Sequence, residues 1–407
     1  MTSKNNLVKL LICLIVTMLL AGRGTVEAAG PAGGEKVATR GVTANTIKIG
    51  MMPDLSGPYR AAGLEARKGV EAWVKHINDQ GGIHGRKIQV IVEDNGGNPS
   101  TTIAAANKLI FNDQVFAILG VHGASAFEAI FDLVEKEKVP TFSLGYSTSN
   151  FKPFKKMIFV IGTPYYYQAA RAVTYIVEDL KISKPKLAVL YQDDAFGRDF
   201  LHGVRDEAKA HGITILKEEP YVRGAREVNS QVASLKRAGA EQVILGAIYV
   251  HAALFVREAA RIGDFNPLVI GPNPTVGDVF FDIAKEAGKG YKAADCFGKP
   301  GEKEIAEVEA ITKKYENILP LEFVLMGITN AQVFTAGLEK AGKNLTLDNF
   351  IKAMESLKDV DMKGTMPNVS LSAVKHHSTT ESVIYEADPA TRTWKKVSPL
   401  KNPKIAR

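Results

Sequence analysis

The sequence predicts an α/β protein built as two similar halves. Two observations carry this reading. Short apolar strands alternate with helical stretches of 12–15 residues, as βαβ units around a parallel sheet do, and the same rhythm starts again past residue 162. Composition agrees. Of 407 residues, 45% are hydrophobic and 23% charged, which supplies core for more than one domain and lacks the bias of collagen, coiled coil, disorder or a multi-pass membrane protein.

The first thirty residues stand apart. Lys4 and Lys9 precede an apolar run from Leu10 to Leu20, and the small-residue stretch Val26-Glu27-Ala28-Ala29 follows. A basic n-region, a short h-region and a small-residue cleavage region predict a signal peptide over 1–28. The apolar run is far below the ~20 residues that span a bilayer. Arg23 stands where a lipoprotein needs cysteine after Leu20-Ala21-Gly22. Cleavage removes Cys13 and leaves Cys296 alone, so no intrachain disulfide is expected. It also lowers the formal charge of +7 by two, because Lys4, Lys9, Arg23 and Glu27 leave together.

Residues 29–43, rich in Ala and Gly, read as a flexible leader. Regular pattern then begins. Ile47–Met52 is a strand and Pro53–Pro58 a loop. Residues 64–78 form a helix, with Val70, Trp73, Val74 and Ile77 on one stripe and Gly81-Gly82 ending it. Ile88–Val92 is a strand, and Ser100 caps a helix through Asn112. A strand over 116–120, a helix to about Lys138 and a strand over 139–144 complete the first half. In the second half, Thr163-Pro164 opens a helix to Leu180. Strands follow at 187–191, 213–218, 243–247 and 268–270, with helices at 200–211, 228–238 and 251–262 between them. Residues 302–357 read as mostly helical, and 365–400 as short strands and turns with a hairpin tip at Thr391–Trp394.

Catalytic signatures are missing. The sequence holds no G-x-x-x-x-G-K-[ST], no G-x-G-x-x-G after a strand, no H-E-x-x-H, no paired C-x-x-C and no G-x-S-x-G. His376-His377 is a poor chelate, because neighbours on a strand point to opposite sides, so no metal is expected. Cys296 reads as core rather than nucleophile. Basic residues are dispersed, which argues against nucleic acid. An exported two-lobed α/β protein of this kind points to ligand binding between lobes, with no cofactor and no enzymatic activity.

One ordered set of residues is more specific. Ile47-Lys48-Ile49-Gly50, Leu55-Ser56-Gly57-Pro58, Gly63, Ile77-Asn78, Gly81-Gly82-Ile83, Gly85-Arg86-Lys87-Ile88 and Asp94 together resemble the opening of the Leu/Ile/Val-binding protein family. Asn98-Pro99, Ala105–Ile110, Ala195-Phe196-Gly197, Leu235–Ala240 and Gly271-Pro272 continue the resemblance. The family comprises the solute receptors of branched-chain amino-acid ABC importers. The resemblance implies the type I periplasmic-binding-protein fold, two Rossmann-like lobes joined by a three-crossover hinge. Lobe one would comprise 44–161 and 296–362, and lobe two 162–295 and 363–407. It implies a periplasmic, monomeric protein that passes a small ligand to a permease in the inner membrane. The ligand would be an amino acid, or a small organic acid or amide; a ligand-sensing module is the remaining alternative.

The resemblance also implies a set of ligand contacts. In the family, backbone N–H groups and hydroxyls at helix-opening loops hold the ligand carboxylate, and His122-Gly123-Ala124-Ser125 is the corresponding loop. Ala124 stands at the usual serine and Ser125 one residue on; Gly145-Tyr146-Ser147 matches the next strand's end. Ser125 and Ser147 contact the ligand's polar head or are ordinary helix caps. Ser56 and Tyr59 belong to the first loop. Arg60 either pairs with a ligand acid or is a solvated surface arginine. Phe196 forms an apolar wall or packs in the core. Tyr249 neighbours a family aromatic, and one of Tyr165, Tyr166 and Tyr167 should face the crevice. Asn273 replaces the acid that holds a ligand ammonium in amino-acid binders, leaving Asp193, Asp194 or Asp278 to compensate. Gly97 and Gly123 stand where some members carry a disulfide.

Overall fold

The computed structural model describes residues 39–407. The expected signal peptide, and the leader as far as residue 38, lie outside the described residues. Residues 39–43, grouped above with the flexible leader, are instead tied to the packed body. Thr39 Oγ1 donates to the Leu345 carbonyl (2.9 Å), Lys48 N–H donates to the Gly41 carbonyl (2.8 Å), and Val42 bridges Ile47.

Two sheets organise the chain. The first contains β1 (Thr46–Met51), β2 (Lys87–Val92), β3 (Ala117–Val121), β4 (Thr141–Ser143) and β5 (Ile158–Val160), all parallel in the order β2-β1-β3-β4-β5. The second contains β6 (Leu187–Gln192), β7 (Lys217–Tyr221), β8 (Gln242–Gly246), β9 (Leu268–Pro272), β10 (Lys292–Asp295), β11 (Val383–Asp388) and β12 (Thr393–Lys396). Its order is β12-β11-β10-β9-β8-β6-β7, and β11 and β12 run antiparallel at one edge. Every residue of β3 and of β8 is buried, as strands covered on both faces must be. In each sheet the strand order reverses once, between β1 and β3 and between β6 and β8. Ligands of open α/β sheets bind beyond the carboxyl ends of strands at such switch points.

Helices cover both sheets. Around the first lie α1 (Arg60–Asp79), α2 (Pro99–Asn107), α3 (Ala124–Glu128) and α4 (Phe131–Lys136). Around the second lie α5 (Tyr165–Thr174), α6 (Ala195–Ala210), α7 (Asn229–Arg237), α8 (Tyr249–Ile262) and α9 (Asp278–Ala284). The chain then returns to the first lobe as α10 (Ala306–Glu316), α11 (Glu322–Ala341) and α12 (Leu347–Glu355). There α11 packs on α1 with backbones nearly in contact: a Cβ on Gly69 would lie 2.1 Å from the Val324 carbonyl oxygen, and one on Gly327 2.1 Å from that of Ala66. Only glycine fits at these two positions. Trp73 Nε1 donates to Thr335 Oγ1 (3.1 Å) across the same contact.

The chain passes between the lobes after β5, after β10 and before β11. The first and third passages are hydrogen-bonded to each other. Val160 N–H donates to the His376 carbonyl (2.8 Å), and Ser378 N–H donates to that of Val160 (2.9 Å). His376 and His377 lie outside the strands, with only an isolated bridge from His377 to Val160, and their rings pack on different neighbours. His376 stacks on Phe159 (4.4 Å between centroids) and His377 on Phe151 (4.6 Å). Burial pushes both imidazoles down to about 4, so both are neutral packing groups.

Several elements differ from expectation. Helix α5 starts at Tyr165, with Pro164 as its cap residue and not its first helical residue, and α6 starts at Ala195, before the expected residue 200. The strand expected over 213–218 forms at 217–221, in register from Ala188–Lys217 to Gln192–Tyr221. The alternation Ile213-x-Ile215 imitates a strand, but these side chains pack on the core from the preceding connection. Asn98, not Ser100, caps α2: its side chain accepts the Thr101 N–H (3.1 Å), with Pro99 at the first position. The helix expected to run to Lys138 is two short helices broken at Ile130.

Candidate functional site

Both switch points open onto one crevice. On the first lobe, the loop after β1 is organised by Asp54, a fully buried carboxylate that accepts the backbone N–H groups of Gly57 (2.5 Å) and Tyr59 (3.0 Å). These bonds place the Tyr59 ring over the crevice. The loop after β3 supplies His122, Gly123, Ala124 and Ser125. Asp54 N–H donates to His122 Nδ1 (3.3 Å), and Asn95 Nδ2 donates to the His122 carbonyl (2.8 Å). Burial pushes the His122 imidazole down to about 4. It is therefore neutral, and because Nδ1 accepts, the ring proton sits on Nε2 as a free donor. The first N–H groups of α3, at Ala124 and Ser125, are the unspent donors of a helix start.

On the second lobe, the loop after β6 ends in Asp194, which caps α6 by accepting the Gly197 N–H (3.1 Å). Gln192 Nε2 donates to Asp194 Oδ2 (2.6 Å), and the Tyr221 hydroxyl donates to Gln192 Oε1 (3.3 Å). Phe196 follows and meets Tyr165 edge-on, 4.7 Å between centroids. Arg223 enters from beyond β7. Phe323 and Met326 come from the first turns of α11.

These residues enclose a cavity of about 30 Å³, lined by Tyr59, His122, Gly123, Ala124, Ser125, Leu144, Tyr165, Gln192, Asp194, Phe196, Arg223, Pro274, Phe323 and Met326. The two lobes touch each other directly beside it. Tyr59 meets Tyr249 across the gap at 6.3 Å, Arg223 Nη1 donates to the Gly97 carbonyl (2.8 Å), and Thr148 N–H donates to Asp199 Oδ2 (3.1 Å).

Of the residues expected at the site, Tyr59, His122, Ala124, Ser125 and Phe196 line this cavity. Tyr146, Ser147, Tyr249 and Asn273 are buried around it, and Gly145 joins them with its N–H donated to Ser143 Oγ (2.9 Å). Tyr249 packs edge-on against Phe323 at 6.0 Å. The hydroxyls of Tyr146 and Ser147 are buried without a hydrogen-bond partner; Ser147 precedes a short 3₁₀ turn but does not cap it. Ser56 and Arg60 do not join the cavity. Both are exposed, and Arg60 is a solvated arginine at the start of α1. Among the three candidate acids, Asp193 pairs with Arg198 on the surface (2.8 Å) and Asp278 is exposed 3.6 Å from Arg392. Asp194 alone of the three lines the crevice.

Asn273 is completed from below by a group the sequence reading missed. Its Nδ2 faces Glu322 Oε1 (3.4 Å), its backbone N–H donates to Gln168 Oε1 (2.9 Å), and its Oδ1 is buried without a partner. Glu322 Oε2 receives Lys299 Nζ (2.8 Å), which also bonds Asp295 and lies 4.5 Å over the Tyr385 ring. Burial alone would lower the Lys299 pKa, but Asp295 and Glu322 hold it above its ordinary value. Burial and Asp295 together push Glu322 well above the usual carboxylate range. Cys296, next to this triad, is buried and its thiol is pushed up to about 12 by desolvation, which leaves it inert. Among the described residues no three His, Cys, Asp or Glu side chains gather to hold a metal ion.

The profile of the periplasmic binding protein family matches residues 46–392. Among curated relatives, "Leu/Ile/Val-binding protein homolog 3" of Brucella melitensis is 25% identical over 322 residues, 77% of this chain and 84% of that protein. The "Leucine-, isoleucine-, valine-, threonine-, and alanine-binding protein" of Pseudomonas aeruginosa is 27% identical over 312 residues, 75% of this chain and 81% of its own. A fatty acid ABC transporter substrate-binding protein from Thermomonospora curvata superposes with a TM-score of 0.83 at 25% identity, covering 90% of this chain and 95% of that one. A branched-chain amino acid ABC transporter protein from Thermus thermophilus, solved with bound valine, gives a TM-score of 0.80 at 18% identity, covering 89% and 98%. With two parallel-sheet lobes closing on a crevice at their switch points, the chain belongs to the periplasmic binding protein family and has its two-lobed type I fold.

Proposed function

We propose that this chain is the extracytoplasmic solute-binding component of an ABC importer, which captures a small amphipathic ligand between its lobes and delivers it to a membrane permease. One observation carries the reading. Free donors on one lobe (His122 Nε2–H and the N–H groups of Ala124 and Ser125) and the Asp194 carboxylate on the other line one crevice, with aromatic rings among them. That arrangement fits a zwitterion. An amino-acid carboxylate takes the first-lobe donors, its ammonium takes Asp194, and an aliphatic side chain lies against Tyr59, Phe196 and Phe323. The relatives named for leucine, isoleucine and valine support this ligand class.

A second reading is a non-amino-acid ligand, an aliphatic or aromatic acid or an amide. It is favoured by Asn273, a neutral amide where amino-acid binders carry an acid, and the neighbour named for fatty acids is consistent with it. A thermal-shift panel of amino acids, short-chain acids, aromatic acids and amides separates the two. A ligand at a hundred times its Kd adds roughly 2.7 kcal/mol to stability, readily seen as a rise in Tm. Shifts with leucine, isoleucine and valine support the first reading; shifts confined to acids or amides replace it with the second. Export as a periplasmic monomer and absence of turnover belong to the same proposal. Conversion of any stabilising ligand by the purified protein would overturn it.

A further inference from the structure

Arg223 is the unaccounted charge of the crevice. It lies two residues beyond β7, between the exposed Val222 and Gly224, yet its guanidinium leaves its own lobe. Nη1 donates to the Gly97 carbonyl of the first lobe (2.8 Å). Nη2 stands 2.8 Å from where a Cβ on Gly97 would be, and Asp54 Oδ2 stands 2.5 Å from the same point. Gly97 also has φ +62, so its missing side chain is what lets a second-lobe cation approach a buried first-lobe carboxylate. Its Nε is buried without a hydrogen-bond partner. A guanidinium nitrogen buried without an acceptor is costly, unless an anion completes it. The cavity is on that residue's border.

We propose that Arg223 is both the latch of the closed form and a specificity-determining residue: it ties the lobes through Gly97 and receives an anionic oxygen of the ligand. The second half rests on the solute-binding reading above; the first half does not. The charged and titratable groups lining the same crevice are Asp194, Tyr59, Tyr165 and the neutral His122, with Asp54 behind Gly97. Asp54 and Asp194 outnumber the single cation, so a carboxylate ligand needs Arg223 to offset them. A neutral ligand head does not.

The test has two arms. In the first, spin labels on Ala104→Cys and Glu227→Cys, exposed sites one on each lobe, report the lobe separation without ligand. Cys296 is buried and stays unlabelled. Arg223→Met is expected to move the distance distribution to longer values, with Arg223→Lys between it and the wild type. An unchanged distribution in Arg223→Met overturns the latch. Should that variant fail to fold, Arg223→Lys decides, because it keeps charge and most of the length but loses the fork. In the second arm, calorimetry measures L-valine, 3-methylbutanoate and L-valinamide. Arg223→Met is expected to weaken the first two by about tenfold or more, the loss of a charged hydrogen bond, and valinamide by less than about twofold. Equal losses for all three overturn the anion-reading role. If the wild-type protein binds none of them, the aliphatic ligand class falls, while the latch is still decided by the distances.

Discussion

Asn273 rests on Glu322: the amide Nδ2 meets the carboxylate Oε1 at 3.4 Å, and Glu322 in turn shares Lys299 with Asp295. The acid that family resemblance expects at the end of β9 has not vanished from the neighbourhood. A carboxylate sits one layer deeper, at the start of α11. One lysine serves two carboxylates there, so the triad carries a surplus negative charge or a shared proton.

Removing the shared cation should be far worse than neutralising an acid. Lys299→Met leaves two buried carboxylates facing each other and is expected to destabilise the protein by about 3–5 kcal/mol, the usual result of breaking a buried ion pair from one side. Glu322→Gln keeps the shape and an acceptor for Lys299, gives up the long Asn273 contact of 3.4 Å, and removes charge that burial already disfavours. Its loss should stay under about 1.5 kcal/mol. Urea denaturation of the two variants measures the contrast. Equal losses would mean that Lys299 does not hold the triad together.

Closure should depend on pH through Asp199. This half-buried carboxylate accepts the Thr148 N–H across the lobes at 3.1 Å, and burial raises it to about 6 despite that bond. In an opened, hydrated crevice it would return toward about 3.9. The closed form therefore binds the proton more tightly. Closure is favoured at low pH and loses that advantage as pH rises through about 6. Because the group is partly screened, the expected change in ligand affinity between pH 5 and 7 is a fall of about threefold, well below what an unscreened shift would give. Asp199→Asn should remove the dependence and keep the low-pH affinity. His122 contributes nothing to this profile, since it stays neutral down to about 4.

The aromatic walls should govern affinity more than stability. Phe196 is buried at 5% exposure, but it lines the cavity and meets Tyr165 edge-on. Phe196→Leu keeps apolar volume and loses the flat wall. It is expected to reduce affinity for the best ligand about tenfold while the ligand-free Tm moves little. Calorimetry beside a melting curve tests this. An affinity equal to wild type places Phe196 in the core alone, the alternative that its sequence context left open.

Much of this architecture was legible in the sequence because periodicity reports burial directly. Strands buried on both faces, such as β3 and β8, appear as short apolar runs, and α1 announces itself by the stripe Val70, Trp73, Val74 and Ile77. Edge strand β7 carries Lys217, Glu218, Glu219 and Pro220 and has no such run, so the neighbouring isoleucines drew the boundary away from it. At the site, the loops nearest the matched motifs were readable: Tyr59, His122, Ala124 and Ser125 line the cavity. Arg223, Glu322 and Lys299 were not. Their roles arise from contacts over sequence separations of 126, 49 and 23 residues, and nothing local distinguishes them from surface charges. Asp194 was among three acids that spacing could not rank. Only the cap it makes on α6 fixes its direction.

The contact of α1 with α11 gives a sharp stability test, because it depends on hydrogen atoms in place of side chains. A methyl group on Gly327 would sit 2.1 Å from the Ala66 carbonyl oxygen, and the helix backbone cannot yield as a flexible side chain would. Gly327→Ala must therefore separate the helices. This is expected despite the better helix propensity of alanine, which alone would stabilise by about 1 kcal/mol. Separation also stretches the Trp73–Thr335 hydrogen bond, now 3.1 Å, and loosens the apolar contacts beside it. The net result should be a loss of about 2–3 kcal/mol, as overpacking usually gives, together with a changed Trp73 fluorescence spectrum. Since α11 also carries Glu322, Phe323 and Met326 at its crevice end, the same substitution should weaken ligand binding from a distance. A Gly327→Ala protein as stable as the wild type would show that the two helices are not held at this spacing.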